Sequence, residues 1–171
     1  LKTLTMDDSV CISLTTGDGI ICVERTEVTA ESYGNCVVAG ACSAIAESAT
    51  SRSPSAESGN LPVAGASWEQ AYVYCQWRGR RLPTAIEWRR VAGFGTREYP
   101  WGNEPPTCEH AVFMKEGAAG CMPPGAMPVG SKPIGATPAG LLDMGGNVAE
   151  WATIFDDPEG KHVYLKVVMG G

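Results

Sequence analysis

SWEQAYVYCQWRGRRLPTAIEWRRV, residues 67–91, carries two helix starts within twenty residues and sets how the rest of the chain is read. Ser67-Trp68-Glu69-Gln70 is a capping box: the Ser67 hydroxyl can accept from the Gln70 amide while the Gln70 side chain reaches back. The spacing predicts a helix from there to about Trp77, with Gly79 as its stop. Trp68, Tyr72, Cys75 and Val73 recur at helical spacing and are expected to face the core. Thr84-Ala85-Ile86-Glu87, directly after Pro83, is a second capping box and opens a short helix through Trp88 and Val91. Arg80 and Arg81 lie between the helices. They could bind an anion, but the preferred reading is structural, because arginine is the usual multi-donor for loop carbonyls or for a carboxylate such as Glu87.

Upstream, Thr29 can cap a helix that begins at Ala30, passes through Tyr33 towards Val38 and stops at Gly40. Before it, Val10-Cys11-Ile12-Ser13-Leu14 and Ile20-Ile21-Cys22-Val23 flank Thr16-Gly17-Asp18-Gly19, a hairpin signal. Residues 43–60 are rich in Ser, Ala and Glu and include Pro54 and Gly59; they read as a mobile surface loop within one domain. Downstream, eight of the twelve prolines fall between Tyr99 and Pro138, which argues against any long helix there. Val163 to Met169 reads as a final strand.

The chain has 171 residues, enough for one domain by the usual prior of roughly 100–200 residues. With 44% apolar and 19% charged residues it can bury a core. Lys plus Arg is 13 against 19 for Asp plus Glu, a net charge of −6 with no basic block. A nucleic-acid groove is therefore not expected. No apolar run approaches the roughly 18 residues of a membrane span, and membrane insertion is not expected either. P-loop, dinucleotide, HExxH, GxSxG, EF-hand and N-glycosylation patterns are absent from the sequence.

Six of the seven cysteines fall into local pairs: Cys11 with Cys22, Cys36 with Cys42, and Cys108 with Cys121. Each pair brackets a short Gly-containing segment, so disulfides of an oxidising compartment can form; reduced thiols of a cytosolic protein are the alternative. Bridging Cys108 and Cys121 would pin the proline-rich region and contribute about 3 kcal/mol in the chain-entropy model. Zinc is disfavoured, since there is no CxxC and His110 and His162 are not at ligand spacing. Cys75 falls in a helix interior and reads as a buried, inert thiol.

Several strings, in order, resemble the formylglycine-generating enzyme family, also called the sulfatase-modifying factor domain. They are Glu27-Val28-Thr29 with Tyr33; Pro62-Val63 with Ser67-Trp68-Glu69-Gln70-Ala71 and Tyr74-Cys75; and Arg81-Leu82-Pro83-Thr84-Ala85-Ile86-Glu87-Trp88. Tyr99-Pro100-Trp101-Gly102-Asn103-Glu104, Pro128-Val129-Gly130-Ser131, Gly140-Leu141-Leu142-Asp143-Met144 and Gly146-Asn147-Val148-Ala149-Glu150-Trp151 follow. The resemblance covers about residues 22–171, and the Cys36 and Cys108 regions resemble exported bacterial members. It implies an α+β, complex, loop-rich, C-type-lectin-like fold with two main helices and short strands. Within it Trp68, Trp88, Trp101 and Trp151 would wedge loops against the helices, an aromatic sugar-binding shelf being the alternative.

The resemblance also implies a structural calcium, held by the Asp143 and Glu150 side chains and the Gly146 and Val148 carbonyls. Hard oxygen ligands suit that ion, and a glycine-rich turn lets carbonyls converge. The alternative is that Asp143 and Glu150 merely cap turns. A second family calcium position falls on Ala111-Val112, where Ala111 offers no ligand atom. Ala149 departs from the tryptophan that many relatives carry there.

The enzyme resembled oxidises a substrate cysteine to formylglycine with oxygen and a copper held by two cysteines. Those cysteines belong beyond the Met169-Gly170-Gly171 motif. Residues 1–171 are thus expected to be one family domain, truncated at its C-terminal end and carrying no catalytic residue. Two readings follow: a non-catalytic binding or scaffolding module, or the larger part of a cysteine-oxidising enzyme that would take copper only with a further segment. A variable-loop recognition protein is a third reading. The partner would be a protein, peptide or small ligand, and the compartment secreted, periplasmic or cell-surface.

Overall fold

The computed structural model describes residues 9–13, 20–46, 59–113, 121, 125–156 and 163–171. Strands β1 (Ser9–Ser13) and β2 (Ile20–Glu24) pair antiparallel with Cys11 opposite Cys22. The helices are α1 (Ala30–Val38), α2 (Trp68–Trp77) and α3 (Ala85–Ala92). Strands β3 (Ala149–Asp156) and β4 (Val163–Gly170) form a second antiparallel pair, with Glu150 opposite Met169. The architecture is α+β, as expected, but the described residues form three α-helices of similar length rather than two main ones. The nine residues of α1 stand beside ten in α2 and eight in α3. The Thr16–Gly19 turn, His162 and most of the 43–60 loop lie outside the described residues.

Each helix start follows from its cap. Thr29 Oγ1 accepts the Ser32 N–H at 3.1 Å. Both capping boxes close: Ser67 accepts from the Gln70 N–H and Gln70 Oε1 accepts the Ser67 N–H, and Thr84 and Glu87 do the same. The stops are Gly40, Gly79 and Gly93, all at positive φ, where glycine avoids the Cβ penalty.

The inward face of α2 differs from the expected one. Tyr74 is buried, whereas Tyr72 and Val73 are about 40% exposed (42% and 41%). Tyr74 stacks on Tyr33 of α1 at 5.7 Å, and that contact sets the helix rotation. Tyr72 and Trp68, one turn apart, instead stack on each other at 5.2 Å, with the Lys166 ammonium over the Trp68 ring. Cys75 packs against the core as expected, but Tyr74 replaces Tyr72 and Val73 on the inward face, because an aromatic-rich helix offers several apolar stripes.

Two clusters form the core. Tyr33, Cys36, Cys42 and Tyr74 hold α1 against α2, so the Cys36–Cys42 disulfide is a core element. Val10, Trp88, Val91, Ala92, Leu141 and Met144 join the first hairpin, α3 and the 141–144 turn, with Met169 of β4 packed against them. β3 is tied to the start of α3, where the Thr153 N–H donates to the Pro83 carbonyl at 3.0 Å. Among the described residues no helix is long and apolar enough to cross a membrane.

Leu141 is completely buried at the centre of the second cluster. Leu141→Ala should cost about 2–5 kcal/mol, read as a lowered urea midpoint at unchanged slope.

Candidate functional site

The sharpest local constraint lies at residues 143–150, between the core turn and β3. Asp143 and Asn147 have positive φ (57° and 65°), rare for side chains other than glycine. Gly146 sits at φ 132°, and a Cβ there would come within 2.4 Å of the Val112 carbonyl oxygen. Only glycine lets the turn pass so close to that strand of backbone. The turn is held by contacts from four other segments. The Gly130 N–H donates to Asp143 Oδ2 at 2.6 Å. The Asn147 N–H donates to the Val112 carbonyl at 2.8 Å, and the Asn147 side chain bonds both backbone groups of Met127. Glu27 accepts the Asn147 amide at 2.9 Å and the Val148 N–H at 3.0 Å. The Trp88 indole N–H donates to Glu150 Oε2.

Three carboxylates thus share one neighbourhood. Burial pushes Glu27 up to about 8, with the Val148 N–H opposing the shift and Asp143 and Glu150 adding to it. Burial likewise raises Glu150 to about 7, against the Trp88 hydrogen bond and with help from Asp143. Asp143 is raised by burial and partly offset by the Gly130 N–H. The charges that shift Glu27 and Glu150 electrostatically are other carboxylates, a situation that a hard cation would relieve.

The four residues named from the resemblance therefore lie on one strained turn and the strand after it, and the donor set suits calcium. Asp143 accepts the Gly130 backbone N–H, as the turn-capping alternative has it, whereas Glu150 accepts the Trp88 indole N–H, a tertiary side-chain bond that caps no turn. Among the described residues no three His, Cys, Asp or Glu side chains converge as a metal cluster. The set named here has two carboxylates and two carbonyls, so it is of a different kind. Sequence reasoning missed Glu27 and Asn147 as parts of this site. No local signal singled Glu27 out, because it follows Glu24-Arg25-Thr26 in a polar approach to the Thr29 cap.

Beside the turn lies a cavity of about 430 Å³ bounded by β2, α2 and α3, with Val23, Tyr74, Cys75, Trp88 and Glu150 in its wall. Arg80 and Arg81 also line it, and both are structural, as preferred from sequence. Arg81 grips Glu87 with two bonds of 2.8 and 2.6 Å, while Arg80 bonds Glu24 and Ser9. The Arg81 guanidinium holds the Glu87 carboxyl down at about 2. The tryptophans have separate roles: Trp88 is buried, Trp101 stacks between Tyr99 and His110, and Trp151 donates to the Ala66 carbonyl.

The cysteines pair as the spacing allowed, Cys11–Cys22, Cys36–Cys42 and Cys108–Cys121. Cys75 is free, half-buried rather than fully buried, and its thiol is pushed up to about 11, first by burial and then by Glu24. A group held as the thiol is a poor nucleophile and a poor metal ligand.

An α+β domain built on capped helices, a strained acidic turn and three local disulfides is the class defined so far. The sequence profile of the sulfatase-modifying factor enzyme 1-like domain matches residues 21–171, and the chain belongs to that family. Inactive C-alpha-formylglycine-generating enzyme 2 of Mus musculus is 37% identical over 121 residues, 64% of this chain and 37% of that protein. The formylglycine-generating enzyme of Thermomonospora curvata is 49% identical over 47 residues, 26% of this chain and 16% of that protein. Hercynine oxygenase of Mycobacterium tuberculosis is 38% identical over 101 residues, 54% of this chain and 21% of that protein. The chain thus spans well under two thirds of the length of the curated relatives it matches.

Two measurements check this site. In EDTA, Glu27 and Glu150 keep protons in the folded state at pH values where the unfolded chain has lost them. Their contribution to stability is full below about pH 4.5 and is lost as pH rises through about 7 and 8. The melting temperature in EDTA should therefore fall between about pH 5 and pH 8.5; a flat or rising profile would contradict the assignment. Alkylation of the unreduced, unfolded chain should add one label, at Cys75, and the same labelling of the folded protein at neutral pH should be far slower.

Proposed function

We propose that residues 1–171 form a calcium-stabilised, non-catalytic binding or scaffolding domain of an exported protein, with a C-type-lectin-like arrangement of its loops. The observation that carries the reading is the state of the cysteines. Six of the seven are closed in disulfides, and the seventh is a shielded thiol with a raised pKa. Cysteine-oxidising chemistry of the family's kind needs accessible thiolates to hold copper, and residues 1–171 do not supply a pair. Three disulfides favour an oxidising compartment, such as the periplasm, the cell surface or the exterior. The 37% likeness to a relative named as inactive is consistent with a non-catalytic domain. The ligand would be a protein, peptide or small molecule.

Calcium is the resident ion in this reading. Asp143 and Glu150 would hold it with their side chains, and Gly146 and Val148 with their carbonyls. The chemistry it supplies is charge neutralisation of a buried acidic turn. A second reading is that these residues are the larger part of a formylglycine-generating oxidase whose copper-binding cysteines lie outside them. The 49% local identity to the Thermomonospora curvata enzyme favours it.

Incubation of residues 1–171 with copper, oxygen and a cysteine-containing peptide tests the non-catalytic reading of these residues. No aldehyde above the copper-only blank is expected by mass spectrometry; aldehyde that depends on the protein would refute the non-catalytic reading. Calcium at about a hundredfold over its dissociation constant should stabilise the fold by ~2.7 kcal/mol, about 5–10 °C in melting temperature. Asp143→Asn combined with Glu150→Gln should remove that increment.

A further inference from the structure

The two carbonyls assigned to the cation belong to a run of three peptide units, and each unit's direction depends on what its N–H is bonded to. The unit between Gly146 and Asn147 carries the Gly146 carbonyl, and its N–H is fixed on the Val112 oxygen. The next unit, between Asn147 and Val148, has its N–H fixed on Glu27 Oε1 at 3.0 Å. The third carries the Val148 carbonyl and leads into β3. Among the described residues no peptide bond is cis, so each carbonyl points away from its own N–H partner. Asn147 supplies the hinge of this run at φ 65°, and its side-chain amide is held by the other oxygen of the same Glu27 carboxylate. Glu27 is 6% exposed and lies 120 residues from Asn147 in the chain, so this link is tertiary, not local.

We infer that Glu27 is a positioning residue for the cation site: its carboxylate locks the Asn147–Val148 peptide unit and the left-handed Asn147, and so sets the relative directions of the Gly146 and Val148 carbonyls. The inference rests on the cation reading given above. Glu27 is not a ligand in this scheme; it acts through the backbone, as outer partners of metal ligands commonly do. A glutamine at this position keeps the volume but turns an N–H towards one of the two donors that the carboxylate now accepts. One of the two locks is then lost and a donor faces a donor.

The test uses terbium and calcium on the wild-type chain, Glu27→Gln and Asn147→Gly. Trp88 donates to Glu150, so an ion held by Glu150 lies close to an indole that can sensitise terbium emission, and calcium is then titrated as competitor. Melting in EDTA is measured in parallel. Glu27→Gln should weaken calcium about 10–100-fold. A merely structural role would lower the EDTA melting temperature and leave the affinity of the folded fraction unchanged. Asn147→Gly guards against a Glu27 variant that does not fold, because glycine relieves the positive φ while deleting the amide arm. It should weaken calcium by about tenfold. A folded variant of either kind that binds calcium within about twofold of wild type overturns the inference while the cation reading stands. Absence of calcium competition and of a calcium-dependent melting shift in the wild type overturns both.

Discussion

The carboxylate of Glu27, buried and accepting from both Asn147 and Val148, is the interaction on which the rest of the molecule depends. It joins the exit of the first hairpin to the entry of the second. Around it, Asn147 spends its remaining hydrogen-bonding groups on Met127 and Val112. Four stretches with little regular structure of their own are thereby fixed to one point. Among the described residues there are two short hairpins and three α-helices of eight to ten residues, with no large sheet to organise them. A satisfied polar hub takes that role, and the low dielectric around it strengthens each bond while making an unpaired member costly.

The same arrangement creates an electrostatic problem. Glu27, Asp143 and Glu150 are close enough that each of the two glutamates is raised by its acidic neighbours as well as by burial. Protons can relieve the repulsion, and so would a divalent ion; the two would compete, so binding of the proposed cation would depend on pH. Stability elsewhere comes from conventional sources. The Arg81–Glu87 fork reinforces the capping box of α3, and Tyr33 stacked on Tyr74 closes the α1–α2 pair. The Cys108–Cys121 disulfide closes a loop within the proline-rich region, while the other two pin the first hairpin and the end of α1.

The turn at residues 143–150 holds the scaffold, whereas thiol chemistry of the kind considered above needs accessible sulfur. In residues 1–171 the first is built in detail while every sulfur of the second kind is bonded or shielded. The cavity beside Trp88 and Cys75 joins these two aspects, since its wall includes both Glu150 and the free thiol. Its apolar lining and its acidic side come from different elements, brought together by the packing of α3 on the first hairpin.

The sequence by itself determined the helix starts, because Thr29, Ser67 and Thr84 satisfy their own N-terminal N–H groups within three residues. It also determined the helix stops at Gly40, Gly79 and Gly93, the first hairpin and the cysteine pairs, which are all local events. Asp143, Gly146, Val148 and Glu150 were named together only through the family resemblance, which falls on a motif of eight residues. Tertiary structure alone decided which face of α2 turns inward, since Tyr74 outcompetes Tyr72 only when Tyr33 is present to stack against it. It alone decided the role of Glu27, whose partners are 120 and 121 residues away. Short-range hydrogen bonds and caps are written in neighbouring residues, whereas the choice among several apolar stripes, and the partner of a buried charge, exist only once distant segments have packed.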